Sequence, residues 1–153
     1  MPKSTTRHIR TLALLGHGGA GKTMLTEALL HAAGVIGAAG DVERGDTVCD
    51  FEAEEKEHGH SLSSAVVHAD VQGRHINLID TPGYPDFQGR ALSALPAVET
   101  AAVVVNAQAG VEMMTRRLME RAAERRLCRM LIINKIDADN VDLPGLVEQL
   151  RET

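Results

Sequence analysis

The sequence predicts an α/β fold with three layers, in which helices cover both faces of a mostly parallel sheet. Short apolar runs alternate with segments of helical spacing along most of the 153 residues. The core must be aliphatic, because aromatic residues make up only 2% of the chain. Strands that are buried on both faces consist of such aliphatic runs. Right-handed strand–helix–strand connections then place the strands parallel to one another.

Composition favours one soluble domain, with 44% hydrophobic and 24% charged residues. The net charge of −5 argues against direct binding of bare nucleic acid, which depends on neutralising phosphates. Cys49 and Cys128 have no CxxC partner and fit a reducing compartment. The basic opening "MPKSTTRHIR" has no apolar signal core, and no run is long enough to span a bilayer. We therefore expect a cytoplasmic protein that does not contact a membrane.

The first elements are a strand, a glycine-rich loop and a helix. His8–Leu15 is apolar and predicts a buried strand, and Lys22–Ala33 has the apolar spacing of a helix. Gly34–Gly59 is rich in glycine and then acidic, which predicts a long exposed loop. Loops of that length in compact domains are usually functional or disordered.

A predicted hairpin comes next, with its turn at Gln72-Gly73 and its second strand at Ile76–Ile79. The segment "DTPGYPDF" follows, and its prolines and glycine argue against regular structure. The remaining predicted elements are a helix, a buried strand, a helix, a buried strand and a helix: Gln88–Leu95, "AAVVVN", Glu112–Arg126, "RMLIIN" and Pro144–Arg151. Ligands of such sheets bind at the carboxyl ends of the strands, where the unusual residues of this chain occur.

The segment "GHGGAGKT" matches the phosphate-binding pattern GxxxxGK[ST] between a predicted strand and a predicted helix. Glycines let backbone N–H groups converge on phosphate oxygens, and the helix dipole assists them. Lys22 would bridge the β- and γ-phosphates, and the Thr23 hydroxyl would bind Mg²⁺. The predicted phosphate-binding residues are His17, Gly18, Gly19, Ala20, Gly21, Lys22 and Thr23. The alternative is a glycine-rich turn with a surface lysine.

Two further motifs follow strand ends. In "NKID", Asp137 could accept hydrogen bonds from guanine, Lys135 could lie along the base, and Asn134 could connect loops. In "DTPG", Asp80 could hold a water bound to Mg²⁺, and the Gly83 N–H could meet the γ-phosphate. The alternatives are an ordinary loop before a helix and a Pro-Gly turn.

Together with "VCDFEAEEKEHGHS" and "NLIDTPGYPDF", these motifs resemble the GTP-binding domain of translational GTPases, specifically elongation-factor-G-like paralogues. The resemblance extends from about Ile9 to Ile136. It implies a P-loop NTPase fold over residues 1–153, mostly parallel with one antiparallel edge hairpin. Gly34–Ser61 and Asp80–Gln88 would be the two switch loops. Ser61 stands where the family has a threonine that closes over Mg²⁺.

The resemblance also implies ligands and partners. GTP or GDP and Mg²⁺ would bind, with Thr23, Ser61 and, through water, Asp80 at the metal. Full-length relatives act on the ribosome through later domains, and a monomer is expected. The chain ends at Thr153, before the family's final guanine-contacting loop, last strand and last helix, so a truncated GTP-binding domain is expected.

Together with this early end of the chain, three departures in the motifs argue for weak catalysis. Tyr84 replaces the histidine that orients the attacking water in most of the family. Gly19 replaces a common aspartate, and His58 and His60 stand where an arginine and an isoleucine are usual. The two histidines with Glu57 could form a metal site, but two histidines one residue apart are a weak signal for one, and a solvated loop is the favoured interpretation.

The leading functional hypothesis is slow Mg²⁺-dependent GTP hydrolysis, with Lys22, Gly83 and Tyr84 at the catalytic positions. A regulatory fragment that binds nucleotide without turnover is the second hypothesis. The third is another P-loop enzyme, such as an ATP-dependent kinase, which "NKID" and "DTPG" disfavour.

Overall fold

A computed structural model describes residues 5–152. The strands are β1 (Ile9–Leu15), β2 (Ala65–Val71), β3 (Arg74–Asp80), β4 (Thr100–Asn106) and β5 (Cys128–Asn134). The helices are α1 (Lys22–Ala32), α2 (Ala53–His58), α3 (Gln88–Ala94), α4 (Met113–Glu124) and α5 (Leu143–Arg151). Short 3-10 turns occur at Thr6–His8, Pro85–Phe87 and Leu95–Ala97. Residues 1–4, part of the basic opening considered above, lie outside the described residues, as does residue 153.

The five strands form one sheet in the order β2-β3-β1-β4-β5. β1 pairs in parallel with β3 and β4, and β4 pairs in parallel with β5. β2 runs antiparallel to β3 at the edge, as the hairpin pattern predicted. The predicted α/β class and the mostly parallel sheet are therefore confirmed. After β1 the chain forms β2 and β3 on one side of β1 and then β4 and β5 on the other side. The sheet therefore has a topological switch point beside β1.

Successive residues of the central strands pack on opposite faces of the sheet, which produces the three layers. Leu14 and Val104 pack on one face together with Leu25 of α1. Leu15 and Val103 pack on the other face, against residues of α3, α4 and α5. Each central strand is therefore buried on both sides, and this accounts for its uninterrupted aliphatic sequence.

The segment between α1 and β2 differs from the predicted exposed loop. It contains the six-residue helix α2, and Cys49, Asp50 and Glu55 within it are buried. Glu55 Oε1 accepts hydrogen bonds from the backbone N–H groups of Leu62 and Ser63. Most of the segment is exposed as predicted, and the buried part arises because Asp50 and Glu55 are used as internal hydrogen-bond acceptors rather than as solvated charges.

Strand β5 is less buried than its sequence predicted. Cys128, Arg129 and Met130 are exposed, and the rest of the strand is only partly buried. The reason is position: in the described part of the chain β5 pairs with β4 alone and lies at the edge of the sheet. Among residues 5–152, no helix combines the length and the apolar character needed to cross a membrane.

Candidate functional site

A cavity of about 610 Å³ lies at the carboxyl ends of the parallel strands. Its walls come from the glycine-rich loop and the start of α1, the loop after β3, the end of β5 with the residue after it, and parts of the segment before β2 (residues 41–43, 50 and 59–61). This volume is in the range of small-molecule sites. The strand ends thus collect the three sequence motifs around one space.

The glycine-rich loop needs its glycines for steric reasons. Gly16 has φ +140°, and a Cβ there would collide with the Val104 carbonyl of β4. Gly21 has φ +91° and directly precedes α1, and a Cβ on it would lie 2.5 Å from Asn134 Nδ2. Because α1 begins at Lys22, its unpaired N–H groups and the positive end of its dipole lie at the cavity. The loop is suited to an anionic ligand.

Lys22 is the buried cation of the site, with only 6% of its surface exposed. Its Nζ donates hydrogen bonds to the carbonyls of Gly16 at 2.9 Å and His17 at 3.0 Å. Burial lowers the pKa of Lys22 to about 8, and attraction to Asp80 offsets part of this effect. The His17 ring points away to Glu112, at 3.3 Å. An anion beside Lys22 would therefore relieve the cost of burying its charge.

A chain of oxygen atoms lies next to Lys22. Thr23 Oγ1 donates to Asp80 Oδ2 at 2.7 Å and lies 3.3 Å from Ser61 Oγ. Ser61 Oγ donates to Asp50 Oδ1 at 2.7 Å. Burial raises the pKa of Asp80 to about 6, against the opposing effects of Thr23 and Lys22. Asp80 Oδ1 is buried and meets no donor in hydrogen-bonding geometry among residues 5–152, although the nearby Cys49 thiol interacts with the carboxylate and lowers its pKa.

This oxygen set fits a hard divalent cation. Mg²⁺ prefers oxygen ligands and commonly takes one or two carboxylates together with phosphate oxygens and waters. An unpartnered, buried carboxylate oxygen is costly, and a cation or a cation-bound water would satisfy it. The hydroxyls and carboxylates present at the site are therefore compatible with the predicted magnesium site.

Several residues of the site were not predicted from the sequence. Asp50 accepts from Ser61 and, through Oδ2, from Thr47 at 2.9 Å. Glu27 of α1 is fully buried, and its two oxygens accept from the N–H groups of Gly40 at 2.8 Å and Val48 at 2.6 Å. The available signal for Glu27 was a charged residue on a helix beside the phosphate-binding motif. Asp50 had no comparable signal within its acidic segment.

The loop after β3 packs closely on the glycine-rich loop. A Cβ on Gly83 would collide with Lys22 Nζ and lie 2.6 Å from the Gly18 nitrogen. A Cβ on Gly18 would lie 3.2 Å from the Tyr84 ring. The other neighbour of Tyr84 is His60, with ring centroids 4.5 Å apart. Tyr84 thus lies between the glycine-rich loop and the segment that carries Ser61.

The residues after β5 are only partly assembled at the cavity. Asn134 Nδ2 donates to the Ala20 carbonyl at 2.9 Å and connects the two loops. Asn134 and Lys135 line the cavity, and Lys135 has φ +58°. Asp137 is exposed in the following turn and does not contribute to the cavity wall.

The histidine pair of the same region does not form a metal cluster. The His58 and His60 rings stack with centroids 5.9 Å apart. In the part of the chain that the structure describes, no group of three or more His, Cys, Asp or Glu residues is placed to hold a metal ion. His58 is exposed, whereas His60 is partly buried against Tyr84.

Comparisons with known proteins agree with this geometry. The family model described as elongation factor Tu GTP binding domain matches residues 7–153. Ribosome-releasing factor 2, mitochondrial, from Culex quinquefasciatus is 37% identical over 146 residues, 95% of this chain and 20% of that protein. The Bos taurus protein of the same name is 40% identical over 144 residues, 94% of this chain and 18% of that protein.

A crystal structure of a protein from Thermus thermophilus is also similar, with a TM-score of 0.90 and 41% identity over 95% of this chain and 22% of that one. The chain spans about a fifth of the length of these relatives. The expectation of a cytoplasmic protein is wrong on these comparisons, because the curated relatives are named as mitochondrial proteins. The sequence features used for that expectation do not distinguish the cytoplasm from the interior of a mitochondrion, since both are reducing.

Proposed function

This chain belongs to the elongation factor Tu GTP binding domain family, and on that premise we propose that it binds GTP with Mg²⁺ and hydrolyses it slowly to GDP and phosphate. It is a GTP-binding domain of the elongation-factor-G-like class. The observation that carries the proposal is the buried Lys22 at the start of α1, beside the unpartnered oxygen of Asp80. A nucleotide triphosphate with its cation would satisfy both groups.

The phosphates would bind at the glycine-rich loop. The backbone N–H groups from His17 to Thr23 would surround the β-phosphate, as in other P-loop proteins. Lys22 would contact the β- and γ-phosphates, and the Gly83 N–H would contact the γ-phosphate. The close approach of Gly83 to Lys22 supports this arrangement, because one phosphate group could reach both residues.

The magnesium ion would be held by the hydroxyls of Thr23 and Ser61 and, through water, by Asp80. When bound, Mg²⁺ would neutralise charge on the phosphate oxygens. Asp50 would keep the Ser61 hydroxyl in position through the bond of 2.7 Å. These groups lie on α1, on β3 and on the segment before β2, so the site is complete only with that segment in place against α1.

The guanine base would lie near the residues after β5. Lys135 would lie along the ring, Asn134 would maintain the connection to the glycine-rich loop, and Asp137 would accept from guanine N1–H and the 2-amino group. Because Asp137 is exposed and outside the cavity wall, we expect its turn to move towards the base when nucleotide binds.

Hydrolysis by the isolated chain would be slow. Catalysis of phosphoryl transfer depends on positioning and on charge stabilisation. Lys22 and Gly83 would supply the charge stabilisation, and Tyr84 contributes a ring at the γ-phosphate end of the cavity. A full-length protein would act on ribosomes, as the name ribosome-releasing factor 2 states for the curated relatives. The regulatory alternative predicts binding without turnover.

Thermal unfolding with and without GDP tests the proposed binding. GDP and Mg²⁺ at 100 times the dissociation constant should add about 2.7 kcal/mol to the free energy of unfolding. The melting temperature should then rise by about 5–10 °C. Lys22→Ala should abolish the rise, whereas Lys56→Ala, at an exposed lysine of α2, should retain it. Absence of any GDP-dependent change in the cooperatively melting wild type would contradict the proposal.

A further inference from the structure

A group that orients the attacking water is the one catalytic component left open by the proposed function. The water must lie beside the γ-phosphate, near Gly83 and Ser61. Among the lining side chains near these residues, Asp50 is already engaged by Thr47 and Ser61, and Thr81 is buried and donates to the Leu14 carbonyl, which leaves Tyr84 and His60 as candidates. The residue that orients the water is the one whose substitution should slow hydrolysis.

Two sets of contacts favour His60. It directly precedes Ser61, whose hydroxyl lies 3.3 Å from Thr23 at the oxygen set described above. Its ring packs on the Tyr84 ring with a centroid distance of 4.5 Å and an interplanar angle of 45°. Phe87 supports the same ring at 6.3 Å. These contacts restrict the orientation of the imidazole.

The hydrogen bonding of His60 also points to a ligand. Its Nδ1 is buried and has no partner in the part of the chain that the structure describes. Leaving such an atom unpaired costs about 1–3 kcal/mol, so the ring would gain a hydrogen bond by turning this nitrogen towards a water in the cavity. Tyr84 is 44% exposed, and solvent can satisfy its hydroxyl.

We propose that His60 orients the attacking water and that Tyr84 is the platform that holds the His60 ring. The inference rests on the proposed function. A neutral imidazole nitrogen accepts a hydrogen bond from the water. The water oxygen forms a bond to the γ-phosphorus while the bond from that phosphorus to the β–γ bridging oxygen breaks. GDP leaves with that electron pair, and the proton of the water ends on the phosphate product.

Single-turnover hydrolysis of GTP by the full chain, measured with nucleotide affinity on the same samples, tests the assignment. His60→Leu keeps apolar packing on Tyr84 and removes both ring nitrogens, so its rate constant should fall at least tenfold at nearly unchanged affinity. His60→Gln should recover part of the loss, because an amide oxygen can also accept from water. His31→Ala, at an exposed histidine in the last turn of α1, is the matched control and should keep the wild-type rate.

Tyr84→Phe distinguishes the two aromatic positions. It keeps the ring that supports His60 and removes only the hydroxyl, so its loss should be smaller than that of His60→Leu. An equal or larger loss would assign the water to the phenol and overturn the inference.

Two other results would also overturn it: a wild-type rate in His60→Leu, or a wild-type protein that binds GTP but hydrolyses it no faster than His60→Leu. If His60→Leu fails to bind GTP, the same comparison with His60→Ala decides. A wild type that binds no nucleotide would instead refute the proposed function.

Discussion

Asp80 illustrates how a single carboxylate can serve the site at the expense of stability. Its pKa of about 6 lies above the ordinary value of 3.8, because burial disfavours the charged form more than Thr23 and Lys22 favour it. One Asp80 oxygen accepts from Thr23, and the other is unpartnered among residues 5–152. The nucleotide-free protein therefore carries a charge at neutral pH that its own structure only partly compensates.

Asp80→Asn should stabilise the protein in the absence of nucleotide and metal. The two-unit rise in pKa corresponds to about 3 kcal/mol, and the asparagine variant avoids this cost at pH 7. The folded state binds the Asp80 proton more tightly than the unfolded state does, so wild-type stability increases as the pH falls from 6 towards 3.8. The advantage of the variant should therefore be present above pH 6 and disappear on acidification.

Urea unfolding in EDTA at pH 7 and pH 4.5 measures this difference. Asp139→Asn, at an exposed position, is the matched control and should be neutral at both pH values. Asp80→Asn should also weaken the magnesium dependence of nucleotide affinity. A variant less stable than the wild type at pH 7 would contradict the argument.

Asp137 gives a second test at the residue scale. Asp137→Asn should move the preference from guanine towards xanthine nucleotides, because xanthine presents a carbonyl where guanine presents an amino group. An unmatched acceptor costs about 1–3 kcal/mol, so the GDP-to-XDP affinity ratio should change roughly tenfold or more. Competition binding measures the ratio, with Asp139→Asn as the control. An unchanged ratio would mean that Asp137 does not read the base.

At the scale of elements, the important connection joins α1 to the segment before β2. Glu27 binds the backbone of this segment at two points, and Asp50 binds Ser61 within it. The segment therefore has defined anchors although it is largely irregular. Helix α1 therefore links the nucleotide contacts at its start to the segment that positions Ser61.

Glu27→Ala should release the segment between α1 and β2. Hydrogen bonds to a charged acceptor contribute about 1.5–3 kcal/mol each, and two are lost. Amide hydrogen exchange should accelerate at Gly40 and Val48, while exchange in β4 changes little. Glu27→Gln keeps one acceptor oxygen and should be intermediate, and Glu120→Gln, exposed on α4, should have no effect. Unchanged protection at Gly40 and Val48 would show that Glu27 does not hold the segment.

At the scale of the whole molecule, the nucleotide site and the larger core occupy different parts of the fold. The cluster under α3, α4 and α5 includes Leu118 and Met119, and it lies on the face opposite to α1. The site itself is at the strand ends. Global stability and nucleotide binding are therefore expected to respond to different substitutions.

Leu118→Ala tests this separation. Leu118 is 2% exposed, and truncation of such a leucine costs about 2–5 kcal/mol. The increment in stability from GDP should remain, because no contact at the cavity changes. Thermal scans with and without GDP measure both quantities, and Leu29→Ala, at a 41% exposed position, is the control. Loss of the GDP increment in a folded Leu118→Ala protein would show that the two regions are coupled.

Local pattern was sufficient for the fold class and for the position of the glycine-rich loop before α1. The aliphatic runs indicated β1, β3 and β4, and the turn Gln72-Gly73 indicated the hairpin. The pattern from Gly16 to Thr23 indicated the loop before α1. A sequence pattern can do this because the backbone conformation of a glycine and the start of a helix depend mainly on residues close in sequence. Parallel strand ends then had to bring the "DTPG" and "NKID" segments towards the same side.

Only the tertiary structure decided where the segment before β2 goes and which of its charges are buried. Glu27 meets Val48 across 21 positions, and Ala20 meets Asn134 across 114 positions. The packing of His60 on Tyr84 and the exposure of β5 likewise depend on which elements become neighbours. A sequence pattern reports short-range preference, whereas burial of a polar group depends on partners that distant parts of the chain supply.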